Sequence, residues 1–312
     1  MSTKFSVANL PTPLHKLNHL SEKLDANIWI KRDDLTGLAF GGNKTRKLEY
    51  LIADAKKHNA QHIITAGMSQ SNHCRQTAAA ARLAGIQCHL VLGLPQRDNG
   101  NLLLDNLLQA KLHWCEKSER EQQMQMLAQS LPNAYVIPYG GSNGIGAYGY
   151  VTAMQELQQQ TDMVFDNIVF ATSSGGTQAG MVCGAKLCGM SSKVLGISVD
   201  CTPEQQFEKA MYDIAQESCQ QIQEDIALSI DDFHVNYDYL GAGYAVLSSA
   251  EKEAITLLAE SEAIFLDPVY TAKAFAGFID LVQRKKLSGN LLFWHTGGTP
   301  ALFAYEKELQ SE

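Results

Sequence analysis

Residues 167–187 read NIVFATSSGGTQAGMVCGAKL, an apolar run followed by a turn rich in glycine and hydroxyl groups and then by a run of small residues. The apolar run predicts a buried β-strand, and the small-residue run predicts a helix that follows it directly. A strand, a tight turn and a helix in this order are typical of a parallel sheet covered by helices. The turn itself suggests a ligand, because glycines let backbone N–H groups converge and a helix start attracts anions.

The same alternation of short apolar runs and helical patterns continues along most of the chain. The predicted strands span 62–67, 88–93, 134–140, 167–176, 193–200 and 290–298. The predicted helices span 72–84, 101–110, 118–131, 144–159, 177–189, 203–224, 249–261 and 271–286. Continuous apolar strands separated by helices predict an α/β protein with open parallel sheets covered on both faces.

The composition argues against several classes of protein. The chain has 312 residues, of which 45% are hydrophobic, and this is enough for a large core in two lobes. A net charge of −8 with scattered basic residues argues against a nucleic-acid partner. We expect no membrane partner either, because no apolar run reaches 18 residues and the N-terminus lacks the apolar segment of a signal peptide. Seven cysteines without a CxxC pair fit reduced thiols, so the predicted location is the cytoplasm.

The turn at Ser174, Gly175, Gly176 and Thr177 is a candidate phosphate site. Its backbone N–H groups, its hydroxyls and the helix start that follows could hold a phosphate without any lysine. It is not a P-loop, because the GxxxxGK[ST] pattern is absent. The alternative is an ordinary strand-to-helix turn in which Thr177 caps the helix.

A second candidate lies in GGNKTRKLEYLIADA, residues 41–55, where a helical pattern begins at Lys44. A helix start disfavours a cation and therefore lowers the pKa of a lysine there, which helps an amine that must attack a carbonyl group. The alternative is a surface lysine behind a glycine turn, with Lys47 and Lys56 further along the helix. A reactive lysine together with a phosphate site free of lysine indicates pyridoxal 5'-phosphate, which carries an aldehyde and a phosphate.

Two further patterns give weak signals. The stretch GIGAYG at 144–149 matches GxGxxG, but no acidic residue ends a second strand about 20 residues later, as dinucleotide binding requires. We interpret it as close packing of a helix on a strand. His58 and His62 are four residues apart, but no third ligand accompanies them, so we predict no metal site.

Six motifs in order resemble a fold-type II pyridoxal-phosphate family, the group of D-cysteine desulfhydrases and 1-aminocyclopropane-1-carboxylate (ACC) deaminases. They are KRDDL, GGNKTRKLEYL, QSNHCRQTAAAA, SSGGT, DPVYTAKAFAG and HTGG, and they cover nearly the whole chain. The resemblance implies a cofactor in a cleft between two α/β domains. The expected large domain comprises residues 1–45 and 151–312, and the expected small domain comprises 46–150. The family also implies a homodimer.

The resemblance further implies a role for each matching residue. Lys44 would form the Schiff base, and Asn72 would hold the 3′-oxygen of the cofactor. The phosphate would lie at Ser174, Gly175, Gly176 and Thr177. The substrate carboxylate would lie at Ser71, Asn72 and His73, and Tyr244 and Tyr270 would line the substrate pocket. Ser71 and Tyr270 are also the expected catalytic partners of Lys44.

Two positions indicate the desulfhydrase side of this family. ACC deaminases have a glutamate where this chain has Thr271, and they have a leucine where it has Thr296. Thr296 would then neighbour the pyridine nitrogen, and a hydroxyl there leaves a weaker electron sink than a carboxylate does. A weaker sink favours β-elimination of a good leaving group, so we predict conversion of D-cysteine to pyruvate, ammonia and hydrogen sulfide.

Several alternatives remain open at this point. The chain could be a cysteate sulfo-lyase, a D-serine deaminase or an ACC deaminase. It could also be a protein that binds the cofactor or an amino acid without catalysis. Tyr270 is the candidate proton donor to the leaving thiolate, and a packing role for this residue is the alternative.

Overall fold

The computed structural model describes residues 3–95, 97–203, 206–222 and 226–310. Within these ranges the strands β1 to β10 are Leu14–Lys16, Asn27–Arg32, His62–Gly67, Gln87–Gly93, Lys111–Cys115, Ala134–Val136, Asn167–Thr172, Lys193–Ser198, His234–Asn236 and Asn290–His295. The helices α1 to α11 are Asn18–Leu24, Asn43–Lys57, Asn72–Ala84, Asn101–Leu107, Arg120–Ser130, Gly144–Gln160, Gly176–Leu187, Phe207–Ile222, Ser249–Glu262, Thr271–Gln283 and Glu306–Gln310.

The strands form two separate sheets. A six-stranded sheet has the order β1-β2-β10-β7-β8-β9, and all of its strand pairs are parallel except β1 with β2. A four-stranded sheet has the order β5-β4-β3-β6 and is parallel throughout. Apolar side chains are buried on both faces of each sheet. The predicted α/β class with parallel sheets is therefore confirmed.

The element boundaries differ from the predictions in a few places. The predicted strands at 134–140 and 167–176 are too long, because the chain bends into a 3₁₀ turn at 139–141 and α7 already begins at Gly176. Short edge strands β1 and β9 gave no pattern long enough to detect, and β5 is largely exposed. Most of the predicted helix at 203–224 is α8, while residues 204, 205, 223 and 224 lie outside the described residues.

The glycines of GIGAYG bring helices together, so the prediction that they pack a helix on a strand is wrong. A side chain at Gly149 in α6 would place its Cβ only 2.3 Å from the carbonyl oxygen of Arg46 in α2. At Gly180 in α7 a Cβ would lie 2.1 Å from the carbonyl oxygen of Ala147 in α6. The glycines therefore let α6 approach both α2 and α7 closely. This helix joins the part of the chain that carries Lys44 to the part that carries the glycine turn.

A network of buried charges joins β2, α2 and α6. Arg46 donates to both carboxylate oxygens of Asp33 at 2.8 Å and to both oxygens of Glu156 at 2.9 and 3.0 Å. Lys31 forms a salt bridge with the same Glu156. The hydroxyl of Tyr150 donates to Asp33 at 2.6 Å. The network therefore fixes the end of β2 and the first turns of α2 against α6.

The predicted domain boundaries at residues 45 and 150 remain a prediction, although the four-stranded sheet lies between them in sequence. All seven cysteines lie among the described residues and are in the reduced form. Within the described residues, no group of three or more His, Cys, Asp or Glu side chains is placed to hold a metal ion. No helix in the described part of the chain has the length and apolar character needed to span a membrane.

Three histidines form a ladder across the four-stranded sheet, and it predicts a pH-dependent stability. His89 is bonded on one side to His62 and on the other to His113, each at 3.1 Å. Burial, followed by the neighbouring His113, His62 and Lys111, lowers the pKa of His89 to about 4. Because the unfolded state binds this proton more readily, the free energy of unfolding falls as the pH drops from about 6.5 toward 4.

Urea unfolding at pH 7 and pH 4.5 would measure this effect. The variant His89→Gln is expected to lose less stability between the two pH values than the wild type does. Replacement of the exposed His19 by glutamine is the matched control and should leave the pH dependence unchanged. Equal slopes in the wild type and His89→Gln would contradict the assignment.

Candidate active site

The candidate site lies where the carboxyl ends of strands from both sheets meet, as ligand sites do in open parallel sheets. Each of β3 and β7 leads through a short turn into a helix, and β10 leads into the turn at 296–298. These turns, together with the starts of α2 and α3, enclose one cavity. It is lined by Asn43, Lys44, Ser71, Asn72, His73, Tyr139, Gly140, Ala171, Thr172, Ser173, Ser174, Gly175, Thr177, Tyr270, Thr296 and Gly297.

Lys44 is the second residue of α2 and faces this cavity. The preceding Gly42 has a φ of 125°, a backbone conformation that side-chain-bearing residues rarely adopt, and its N–H donates to Thr36 Oγ1 at 2.8 Å. Burial lowers the pKa of Lys44 to about 8, and the nearby Asp200 opposes this shift. The glycine turn therefore delivers a partly neutral amine to the cavity.

The turn after β7 gathers hydroxyl and backbone N–H groups. Gly176 N, at the start of α7, donates to Ser142 Oγ at 3.2 Å, and Ser142 Oγ lies 2.8 Å from Ser174 Oγ. The amide of Asn43 donates to Thr177 Oγ1 at 3.0 Å. Hydroxyls and backbone N–H groups from two separate turns thus converge beside the N-terminus of α7, which has 12 residues. The N-terminus of a helix favours a bound anion.

The prediction that this site lacks a lysine is wrong. Lys47 Nζ is fully buried and donates to Gly140 O at 3.1 Å and to Ser142 Oγ at 3.2 Å, so it lies next to the turn. Within the described residues, no carboxylate lies within salt-bridge distance of this ammonium group. Burial, with a further contribution from Lys44, holds the pKa of Lys47 well below its usual value. A bound phosphate would favour the charged form of this buried lysine.

The start of α3 contributes a second set of polar groups. Ser71 caps the helix, since its Oγ accepts from Cys74 N at 3.2 Å. Asn72 and His73 line the cavity immediately after it. His73 Nε2 is bonded to Thr65 Oγ1 at 2.9 Å, while its buried Nδ1 has no partner within the described residues. Burial and the two lysines Lys44 and Lys47 hold the pKa of His73 well below its usual value, so this imidazole is neutral.

The two predicted pocket tyrosines form a pair. Tyr244 and Tyr270 are joined by their hydroxyl oxygens at 2.6 Å, and burial raises the pKa of both well above the usual value. Of the two, only Tyr270 lines the cavity. Thr296 lines it as well, whereas Thr271 turns away and donates to the carboxylate of Asp267 at 2.7 Å.

Most of the predicted residues therefore lie together in one cavity. Gly176 and Tyr244 lie just behind its lining and contact lining residues. The residues that sequence reasoning missed include Lys47, Tyr139 and Ser142. Lys47 is three positions after Lys44 and so lies on the same face of α2, and this spacing could have revealed it. Tyr139 and Ser142 flank Gly140 and Gly141 in the turn after β6, and this glycine pair is the local signal that could have indicated them.

The fold and site define an enzyme that holds a phosphorylated aldehyde. An amine with a lowered pKa faces a cavity, and at its other end a buried lysine, which has no carboxylate partner among the described residues, adjoins the glycine turn. Both features fit pyridoxal phosphate. The family model described as pyridoxal-phosphate dependent enzyme matches residues 5–297. The chain belongs to this family, and its cofactor is pyridoxal 5'-phosphate.

Individual relatives agree over nearly the full length. D-cysteine desulfhydrases of Salmonella newport and Salmonella typhi are each 41% identical over 97% of this chain and 96% of their own length. The crystal structure of an ACC deaminase homologue is 34% identical, covers 98% of this chain and 95% of its own, and has a TM-score of 0.93. Serine racemase from Dictyostelium discoideum, at 18% identity, 92% coverage of both chains and a TM-score of 0.68, shares the fold.

A methyl group at Gly176 is expected to weaken cofactor binding by about fivefold to a hundredfold. Its Cβ would lie 2.7 Å from Ser142 Oγ and 2.9 Å from Lys47 Nζ, so the anion site would have to open. Overpacking of this kind costs about 1–3 kcal/mol, and about 1.4 kcal/mol corresponds to a tenfold change in affinity. Titration of cofactor-free Gly176→Ala with pyridoxal phosphate measures the effect.

The matched control lies on the same helix, away from the site. Ala185→Gly should lower the stability of α7 without changing the affinity for the cofactor. An unchanged affinity in Gly176→Ala would exclude the turn at 174–177 as the phosphate site.

Proposed function

We propose that the protein catalyses the α,β-elimination of D-cysteine with pyridoxal phosphate, which yields pyruvate, ammonia and hydrogen sulfide with the uptake of one water. The 41% identical D-cysteine desulfhydrases support this proposal. The observation that carries it is the make-up of the cavity, where Lys44 and Thr296 lie among hydroxyl-bearing side chains and no aspartate or glutamate is found in the described lining.

A cavity without a carboxylate suits a substrate with a good leaving group. When bound, pyridoxal phosphate supplies an electron sink for the negative charge that develops at Cα of an amino acid. Thr296 can donate a hydrogen bond to the ring nitrogen, but a hydroxyl does not supply the negative charge that would keep this nitrogen protonated. The resulting weaker sink is sufficient if the β-substituent leaves as a thiolate.

Lys44 is the proposed attachment point and general base. With a pKa of about 8, roughly a tenth of this amine is neutral at pH 7, far more than in an ordinary lysine. A neutral Nζ at the cavity can take the proton from Cα of the substrate. Lys47 and the hydroxyl of Ser174 would hold the phosphate end of the cofactor.

The start of α3 is the proposed site of the substrate carboxylate. The first N–H groups of a helix have no partner within it and carry a partial positive charge. Ser71, Asn72 and His73 present these groups at the cavity wall. The unpartnered Nδ1 of His73 is a further polar group on this side.

The tyrosine pair is the proposed proton source for the departing sulfur. Because burial raises the pKa of Tyr244 and Tyr270, both keep their protons at neutral pH. Tyr270 lines the cavity and can donate to a thiolate, while the 2.6 Å bond from Tyr244 supports the charge that then forms on Tyr270.

A substrate panel tests the proposal. Sulfide and 2-oxo acids would be measured with D-cysteine, L-cysteine, D-serine, cysteate and ACC, because ACC has four carbons and would give a four-carbon 2-oxo acid, not pyruvate. We expect equal amounts of pyruvate and sulfide from D-cysteine. Turnover of another member of the panel with no turnover of D-cysteine would overturn the choice of substrate. An ACC deaminase is the second candidate, since the ACC deaminase homologue has a TM-score of 0.93 to this chain.

We also propose that the protein works as a homodimer in the cytoplasm. The dimer is supported by the family resemblance and by exposed aromatic side chains, among them Phe40 at 66% and Phe303 at 68% exposure. Sedimentation equilibrium of the purified protein is expected to give twice the chain mass of 34.2 kDa. A mass of one chain across the working concentration range would rule the dimer out.

A further inference from the structure

Two buried side chains outside the cavity donate hydrogen bonds to the side-chain amide of Asn72. Its Oδ1 accepts from Arg75 Nη1 at 2.9 Å and from Asn101 Nδ2 at 3.0 Å. Arg75 and Asn101 are both fully buried, and neither lines the cavity. They come from different helices, α3 and α4, so the arrangement depends on how these two helices pack.

This arrangement fixes which end of the Asn72 amide is free. A guanidinium group can only donate hydrogen bonds, so the atom of Asn72 that faces Arg75 must be the oxygen. The second donor, from Asn101, reinforces the same orientation. The Nδ2 group is therefore the part of the amide left to act at the cavity, where it can only donate. An electronegative oxygen on the bound cofactor is the matching acceptor.

Arg75 also reaches the turn that precedes Lys44. Its Nη2 donates to the carbonyl oxygen of Gly41 at 2.8 Å. One rigid guanidinium plane thus touches both Asn72 and the glycine turn that sets the position of Lys44. Asn101 is fixed in turn, because its Nδ2 also donates to Gln70 O at 2.9 Å and its backbone N–H donates to Gln70 Oε1 at 2.9 Å.

We propose that Arg75 and Asn101 are positioning residues. They orient the Asn72 amide as a donor to the 3′-oxygen of pyridoxal phosphate and fix its position relative to Lys44. This inference rests on the proposed function, since it requires the cofactor to occupy this cavity with its aldehyde at Lys44. Neither residue touches the cofactor. Their effect on binding is exerted through Asn72, and for Arg75 also through Gly41.

A double-mutant cycle on cofactor affinity tests this proposal. Cofactor-free protein would be titrated with pyridoxal phosphate while the visible absorption band is followed. Loss of a hydrogen bond to a charged oxygen weakens binding by about tenfold or more, so we expect this for Asn72→Ala. Asn101→Ala and Arg75→Lys are each expected to weaken binding severalfold in the wild type. In the Asn72→Ala background, Asn101→Ala should add less than twofold.

Non-additivity distinguishes positioning from a general structural role. If Asn101→Ala weakened binding by the same factor with and without Asn72, the two residues would act independently and the proposal would be overturned. Asn101→Ala keeps every charge, so it provides the measurement if Arg75→Lys does not fold. Arg82→Gln, an exposed arginine on the same helix, is the control and should leave the affinity unchanged.

The position of the visible band gives an independent reading. Asn101→Ala and Asn72→Ala should shift the band in the same direction, because both remove or misplace the same donor. If wild-type protein formed no visible band at all, the proposed function itself would fail. A normal band with a normal affinity in Asn101→Ala and Arg75→Lys would overturn only the positioning role.

Discussion

Replacement of Lys44 by alanine is expected to abolish the visible absorption band and to reduce pyruvate formation below detection. Lys44 Nζ is the amine at the cavity whose pKa is lowered to about 8, and the glycine turn before α2 places it there. Loss of a general base alone lowers the rate by roughly 10²–10⁴-fold, and loss of the attachment point adds to this. Absorbance spectra and a pyruvate assay of the purified variant measure both effects.

Two comparisons make this result specific. Lys57→Ala, an exposed lysine in the last turn of the same helix, should keep the band and the activity. Lys47→Ala should retain the ability to form a band but require more cofactor to do so, because Lys47 lies at the phosphate end. A Lys44→Ala variant with a normal visible band would show that another amine carries the cofactor.

Replacement of Arg46 by glutamine is expected to lower the free energy of unfolding by about 3–5 kcal/mol. Arg46 is buried against Asp33 and Glu156, and removal of one partner of a buried ion pair leaves the other charge without compensation. The Arg46 guanidinium holds the pKa of Asp33 down to about 2 despite the burial of this carboxylate. Urea unfolding at pH 7 measures the loss.

A surface pair provides the control. Arg284 forms a salt bridge with Asp280 at 2.9 Å, but its side chain is 70% exposed, and such pairs contribute little. Arg284→Gln should therefore change the stability by less than about 0.5 kcal/mol. Comparable losses in the two variants would show that the buried network does not stabilise the fold.

The network also has a defined pH dependence. Because the folded pKa of Asp33 lies below its usual value of 3.8, the stabilisation from this group is present above pH 4 and is lost as the pH falls toward 2. Arg46→Gln should abolish this part of the acid transition. The histidine ladder loses its contribution earlier, between about pH 6.5 and 4, so the two effects can be separated in one titration.

Sequence patterns predicted those parts of the site that depend on local backbone chemistry. Glycines before Lys44 and around Ser174 are needed for turns within a few residues, so their purpose could be inferred from neighbours in the chain. The helix that begins at Asn72 was predicted with its correct bounds, because an N-cap serine and a C-terminal glycine flank it.

The remaining features depend on residues that are distant in sequence. Lys47 was predicted to lie simply along the helix, and its burial follows from the turn at 140–142, more than 90 residues away. Thr271 follows Tyr270 directly, yet it bonds to Asp267 and not to the cavity. The hydrophobic pattern of the sequence does not distinguish a solvent-exposed lysine from one buried against a carbonyl group. Whether a lysine is buried depends on how distant elements pack together.

The charge network has a consequence for synthesis on the ribosome. Its members emerge in the order Lys31, Asp33, Arg46 and, more than 100 residues later, Glu156. Before α6 emerges, the nascent chain holds two of these cations and only one of the carboxylates. Burial of that unbalanced set is unfavourable. We therefore expect α2 to dock against β2 only after residue 156 has left the exit tunnel. Lys44 would then reach its final position late, although it is synthesised early.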